Sequence, residues 1–120
     1  MQIPEKASLL RILIGEDDRA DGRPLYEAIV LKAREAHLAG ATVLRGPLGF
    51  GRSSVLHTAK MLRLSQDLPM VIEIIDTEEK IQAFLPALTQ LTQSCLITLE
   101  KVTVLRYGTD DSGIIPDDDD

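Results

Sequence analysis

The hydrophobic positions fall into blocks whose spacing alternates between the two-residue repeat of a strand and the three-to-four-residue repeat of a helix. Residues 8–16 open the series. Leu10, Ile12 and Ile14 share one face and Leu9, Arg11 and Leu13 the other, so a strand here carries apolar residues on both sides. A polar turn follows over 15–24 and ends at Pro24, which suits a first helical position because its missing N–H would have been unpaired there. A helix is expected over about 25–38, with Tyr26, Ile29, Val30, Ala33 and Ala36 as its apolar stripe and Glu27, Arg34 and Glu35 turned outward. Gly40 stands just beyond as its stop.

Residues 41–45 read as a second strand, β-branched and apolar. Residues 70–75 read as a third, apolar on both faces save for Glu73. Asp76 or Thr77 can cap a second helix, with Glu78 and Glu79 placed near its positive end. Its stripe is Ile81, Phe84, Leu85, Leu88 and Leu91, and Pro86 interrupts it, removing a backbone donor and implying a kink. Residues 96–107 read as one last strand, or as two short ones meeting near Glu100 and Lys101. The order β-α-β-β-α-β predicts an α+β fold, the ferredoxin-like βαββαβ sandwich, with an antiparallel sheet and two helices on one face. The other face is apolar too and must also leave water. An oligomer that buries it between subunits is expected; the alternative is cover by a loop or the tail.

Composition narrows the classes. With 44% hydrophobic and 27% charged residues the chain has an ordinary soluble make-up. Aromatics at 3%, with no Trp, leave no stacking platform for single strands, so no nucleic acid is expected as a partner. Cys95 is the single cysteine, which excludes an internal disulfide and a multi-cysteine zinc site. No apolar run nears the ~20 residues that span a bilayer. Residues 1–6 lack the basic-then-apolar pattern of a signal peptide. A cytoplasmic protein without membrane insertion is expected. The net charge of −6 belongs to the C-terminus: six of the 19 acidic residues stand at 110, 111 and 117–120, and the remaining 13 balance the 13 basic ones. One domain over 1–107 is expected, followed by an acidic, disordered tail over 108–120, native or an expression remnant.

The join between the second and third strands, 46–69, is far longer than the ~2–5 residues antiparallel neighbours need, and such lengths are usually functional. It has internal pattern. Ser53 or Ser54 can cap a helix near Val55; Leu56, Ala59 and Leu62 give one side of it, and His57, Lys60 and Arg63 another. Arg45 and Arg52 add charge, and no acidic residue stands between Glu35 and Asp67. Gly49 and Gly51 let backbone N–H groups converge, and a helix N-terminus adds partial positive charge. Arg45, Gly49, Gly51, Arg52, Ser53, Ser54, His57, Lys60 and Arg63 are therefore the candidate ligand-binding set for an anion or nucleotide. The stretch lacks the third glycine of a dinucleotide fingerprint and the Gly-Lys-Ser/Thr ending of a P-loop. A solvated loop with an ordinary basic helix face, and a docking helix for a protein, stay open beside the anion reading. Glu16, Asp17 and Asp18 offer oxygens to Mg²⁺, but Arg19 and Arg23 make a self-neutralising turn the simpler reading. His37, late in a helix, and Cys95, after one, read as structural. No acid–base pair is apparent, so no catalytic or metal residue is assigned and an enzyme is not expected.

Leu25-Tyr26-Glu27-Ala28-Ile29-Val30, Gly40-Ala41-Thr42-Val43-Leu44-Arg45-Gly46, Gly49-Phe50-Gly51, His57-Thr58, Leu64-Ser65 and Asp67-Leu68-Pro69 with Val71-Ile72-Glu73-Ile74 resemble a bacterial and archaeal family of PII-like proteins, the domain of unknown function 190. The resemblance covers about 9–107. The wider superfamily is similar to the nitrogen regulatory PII signalling proteins, trimers of ferredoxin-like subunits. Their long loop reaches target proteins, and adenine nucleotides bind between subunits at its base. Gly49 to Arg52 matches the PII Gly-Phe-Gly-Arg stretch. Three departures limit what carries over. Met70 stands where PII proteins have a phosphate-contacting lysine, Ser53 replaces a loop glutamine, and residues 93–98 hold no glycine where PII proteins have a glycine-rich phosphate loop. No tyrosine lies between Gly46 and Pro69, so the nucleotidylation switch of some PII proteins does not carry over. The resemblance implies a homotrimeric PII-like regulatory protein that senses a small anionic ligand, an adenine nucleotide being the candidate cofactor, through 46–69. Family genes often stand beside fluoride-exporter genes, which implies a target protein of the membrane transporter or channel kind. A ligand-independent interaction scaffold is the alternative, and a small ferredoxin-like enzyme the remote one.

Overall fold

The computed structural model describes residues 3–4, 6–46, 68–108 and 114–115. Ten elements follow one another: β1 (Ile3–Pro4), β2 (Lys6–Gly15), β3 (Arg19–Ala20), β4 (Arg23–Pro24), α1 (Leu25–Glu35), β5 (Thr42–Arg45), β6 (Pro69–Asp76), α2 (Glu78–Leu91), β7 (Leu96–Thr103) and β8 (Ile114–Ile115). The main sheet has four strands in the order β5-β6-β2-β7, and every neighbouring pair is antiparallel. That is the strand order of a ferredoxin-like sandwich, with the first strand central and the last at an edge. Ile3 pairs with Ile114 in a short parallel ladder, so β8 returns to the chain just ahead of β2.

Side chains alternate across a sheet, so the register sorts them into rows. On one face Val43, Ile72, Ile12 and Ile97 form a row, with Ile74, Leu10 and Leu99 next to it. Leu10, Ile12, Ile72 and Ile74 are fully buried there, against Leu25, Ile29 and Ala33 of α1 and Ile81, Phe84 and Leu88 of α2. Both helices thus cover the same face. On the opposite face Leu44, Val71, Leu13 and Leu96 form an apolar row across all four strands. Beside it runs a polar row, Thr42, Glu73, Arg11 and Thr98. No described helix lies over this face, and Leu44 and Leu96 are 50% and 58% exposed. The Arg11 guanidinium bridges Glu73 at 3.0 Å and Glu100 at 3.2 Å, and its stem lies along the sheet. The hydrogen bond to Glu73, followed by the charges of Glu73 and Glu100, holds Arg11 protonated above its already high ordinary range.

The helix ends differ from the sequence expectation. α1 stops at Glu35, and His37 beyond it takes the left-handed turn (φ 60°) expected of a glycine. Tertiary ties fix that turn. Lys80 Nζ donates to the His37 carbonyl at 2.6 Å, Tyr107 Oη to the Ala39 carbonyl at 2.9 Å, and Ala39 N to Asp76 Oδ2 at 2.8 Å. The α1 stripe is also rotated: Leu25, Ala28, Ile29 and Ala33 are buried, Tyr26 and Val30 only half-buried, and Ala36 exposed. Pro24 is the N-cap rather than the first helical residue. The 15–24 turn holds a small hairpin, β3 and β4, closed by Asp21 and Gly22 with φ of 55° and 74°. Asp-Gly with two positive φ values is the two-residue turn whose twist matches paired strands. Of the two capping candidates for α2, Thr77 serves, accepting from Lys80 N at 3.1 Å. α2 runs unbroken through the exposed Pro86. The last strand is single and ends at Thr103.

Candidate functional site at the base of the long connection

β5 ends and β6 begins at the corner of the sheet where β2 also ends, because Gly15 pairs with Pro69 and Arg45 with Met70. Two backbone bonds close this corner: Gly46 N donates to the Pro69 carbonyl and Glu16 N to the Leu68 carbonyl, each at 2.7 Å. The connection therefore starts from a fixed base. Gly46 permits the close approach, since a Cβ there would lie 2.8 Å from Pro69 Cγ, in a ring that cannot swing aside. Gly46→Ala is expected to cost about 1–3 kcal/mol, the range for overpacked sites. Urea unfolding with an unchanged slope and a lowered midpoint would show it.

The acidic turn 15–18 is folded on itself. Gly15 N donates to Asp18 Oδ2 at 2.9 Å, Asp18 N to the Gly15 carbonyl at 3.2 Å, and Leu25 N to the Asp18 carbonyl at 2.7 Å. Asp18 is thereby used as a turn-former. Glu16 leaves the turn to pair with Arg45, whose guanidinium donates to Glu16 Oε2. Among the described residues no three His, Cys, Asp or Glu side chains come together to hold a metal ion.

Of the nine candidate anion ligands, the structure places Arg45: at the end of β5, 56% exposed and paired with Glu16. Gly49, Gly51, Arg52, Ser53, Ser54, His57, Lys60 and Arg63 lie outside the described residues. Sequence reading missed the Arg45–Glu16 pair and the Arg11–Glu73–Glu100 group. Strand register brings both together, and no local signal marks either. Cys95 lies near the same corner, half-buried. Desolvation first, and then the Asp18 carboxylate, push its thiol above the ordinary range. A raised pKa leaves less thiolate at a given pH. Alkylation by iodoacetamide at neutral pH should be slower than for free cysteine, catching up only as pH rises past the ordinary thiol range; an equal rate at neutral pH would contradict this.

This strand order and helix placement define a PII-like fold. The crystal structure of CPII, a nitrogen regulatory PII-like protein from Thiomonas intermedia K12 bound to ADP, AMP and bicarbonate, superposes with a TM-score of 0.63 at 16% identity, over 84% of this chain and 90% of that one. A PII-like signalling protein from Thermus thermophilus gives a TM-score of 0.61 at 17% identity, over 87% and 93%. In sequence, the family model DUF190, "Uncharacterized ACR", matches residues 7–104, so the chain belongs to that family. A UPF0166 protein of Aquifex aeolicus is 42% identical over 83% of this chain and 94% of its own length. A UPF0166 protein of Methanocaldococcus jannaschii is 35% identical over 74% and 82%.

Proposed function

We propose that the chain is a cytoplasmic PII-like regulatory protein, a homotrimer that senses a small anionic ligand with the connection 46–69 and passes its state to a partner protein. The observation that carries this reading is the sheet corner at Arg45, Gly46 and Pro69. A long connection leaves from a rigid base there, beside the uncovered apolar row of Leu44, Val71, Leu13 and Leu96. Subunits joined through that row would set each base beside a neighbour and frame a cleft below the connection. An adenine nucleotide is the first candidate, since the PII-like neighbour CPII was crystallised with ADP and AMP. Phosphate oxygens would engage Gly49 to Ser54 together with Arg52, His57, Lys60 and Arg63, and would compete with Glu16 for Arg45. Differential affinity for the ligand-ordered connection would shift the population the partner sees. No catalysis is needed for this. No described helix is long and apolar enough to cross a membrane, which fits a partner reached by docking, such as a transporter or channel.

Calorimetry with ADP, ATP and bicarbonate on the wild type and on an Arg52→Ala, Lys60→Ala double variant tests the reading. Heat in the wild type that is lost in the variant supports it. No heat with any of these ligands, together with partner capture that ignores them, would replace it with a ligand-independent scaffold.

A further inference from the structure

The opposite end of the sheet holds a second concavity. Lys6 and Gly15 stand at the two ends of β2, roughly 30 Å apart at ~3.3 Å per residue. At the Lys6 end, the start of β2, the end of β7 and the first turn of α2 enclose a cavity of about 460 Å³. Lys6, Ser8, Glu78, Lys101 and Thr103 line it. The volume is that of a small-ligand site.

Three observations give it a chemistry. Ser8 is only 2% exposed, yet among the described residues its hydroxyl has no hydrogen-bond partner. A buried polar group of this kind is normally satisfied. Its cross-strand neighbour Asp76 does not serve it, for the Asp76 oxygens accept from Ala39 N and Thr77 N. Lys101 stands directly across the ladder from Ser8 on the other side and makes no ion pair among the described residues. The 14-residue α2 begins at the cavity, with its first amides and their partial positive charge. Two ammonium groups, an unused hydroxyl and a helix N-terminus converge on an anion. Glu78 in the same wall calls for a hydrogen-bond donor on the rest of the ligand.

We propose that this cavity binds a small phosphomonoester of a polyol. The Lys101 and Lys6 ammonium groups and the Ser8 hydroxyl take the phosphate oxygens, and Glu78 accepts from a ligand hydroxyl. A tetrahedral phosphate presents oxygens in three directions, one for each of these donors. A planar carboxylate cannot match them. The site lies a sheet's length from the long connection, so it would respond to a different signal from the proposed nucleotide.

The probe is glycerol 3-phosphate, followed by backbone amide NMR on the full chain, with inorganic phosphate and acetate as comparisons. Saturable shifts at Ser8, Glu78 and Lys101 are expected, with glycerol 3-phosphate binding tighter than inorganic phosphate and acetate producing none. Lys101→Ala and Ser8→Ala should each weaken binding about tenfold or more, the effect of losing a hydrogen bond to a charged group. Ser8→Ala should leave the melting temperature of the free protein unchanged or raised, because the hydroxyl it removes is unpartnered. Absence of saturable shifts, an equal response to acetate, unchanged affinity in both variants, or a Ser8→Ala protein that melts lower without ligand would each overturn the site.

Discussion

Leu44→Asp combined with Leu96→Asp is expected to reduce the assembled protein to single folded chains. The two leucines end the apolar row on the uncovered face and are half-exposed in the subunit, so charging them removes nothing from the core. In an assembly the same residues would be desolvated. Each buried leucine contributes about 1.5–3 kcal/mol. Losing two would weaken association by roughly 10²–10⁴-fold, at about 1.4 kcal/mol for each factor of ten. The carboxylates add a desolvation cost on top. Light scattering should then report the 13.2 kDa of one chain, with far-ultraviolet circular dichroism unchanged from the wild type. A wild type that already runs at that mass would remove the trimer and, with it, the inter-subunit cleft on which the proposed nucleotide site depends.

Asp76→Ala should produce the larger loss of subunit stability. Asp76 is 1% exposed at the end of β6. Its two oxygens accept from Ala39 N at 2.8 Å and Thr77 N at 2.7 Å, and Lys80 Nζ stands 3.5 Å away. One carboxylate thus joins the exit of α1 to the start of α2. Alanine would leave two amides without their acceptor and a lysine without its counter-charge. An unsatisfied buried donor costs about 1–3 kcal/mol, so a total of roughly 2–5 kcal/mol is expected. For a domain of this size that lowers the melting temperature by the order of 10 °C. Asp76→Asn should recover part of the loss, since its single amide oxygen can serve one of the two N–H groups. A change within about 0.5 kcal/mol for Asp76→Ala, the range of neutral surface substitutions, would show that water replaces the carboxylate there.

Much of the fold was legible in the sequence. The alternation of Leu9 to Ile14 reads directly as a strand because residues two apart must share a face. The hairpin at Asp21 and Gly22 carried a legible signal too, a two-residue Asp-Gly loop, although the sequence reading treated the whole segment as a turn. The end of α1 was not legible. Gly40 is the better local stop, yet the chain turns at His37, where Lys80, Asp76 and Tyr107 hold residues 37–39 from elements far along the chain. The candidate site divides in the same way. Arg45 was visible as a cation, but its partner Glu16 is 29 residues away and meets it only because β5 and β2 end at one corner of the sheet.

The order of elements, the two-sided hydrophobicity of the strands, the basic character of 46–69 and the acidity of the C-terminus were determined by the sequence alone, because periodicity and composition are local properties. Only the tertiary structure decided the rest. It set Arg11 between Glu73 and Glu100, locked Arg45 to Glu16, made Asp76 a junction of α1, β6 and α2, and left Ser8 buried opposite Lys101 at the mouth of a cavity. Each of these depends on strand register, and register is fixed by burying one whole face of the sheet under two helices. No stretch of sequence contains that constraint by itself.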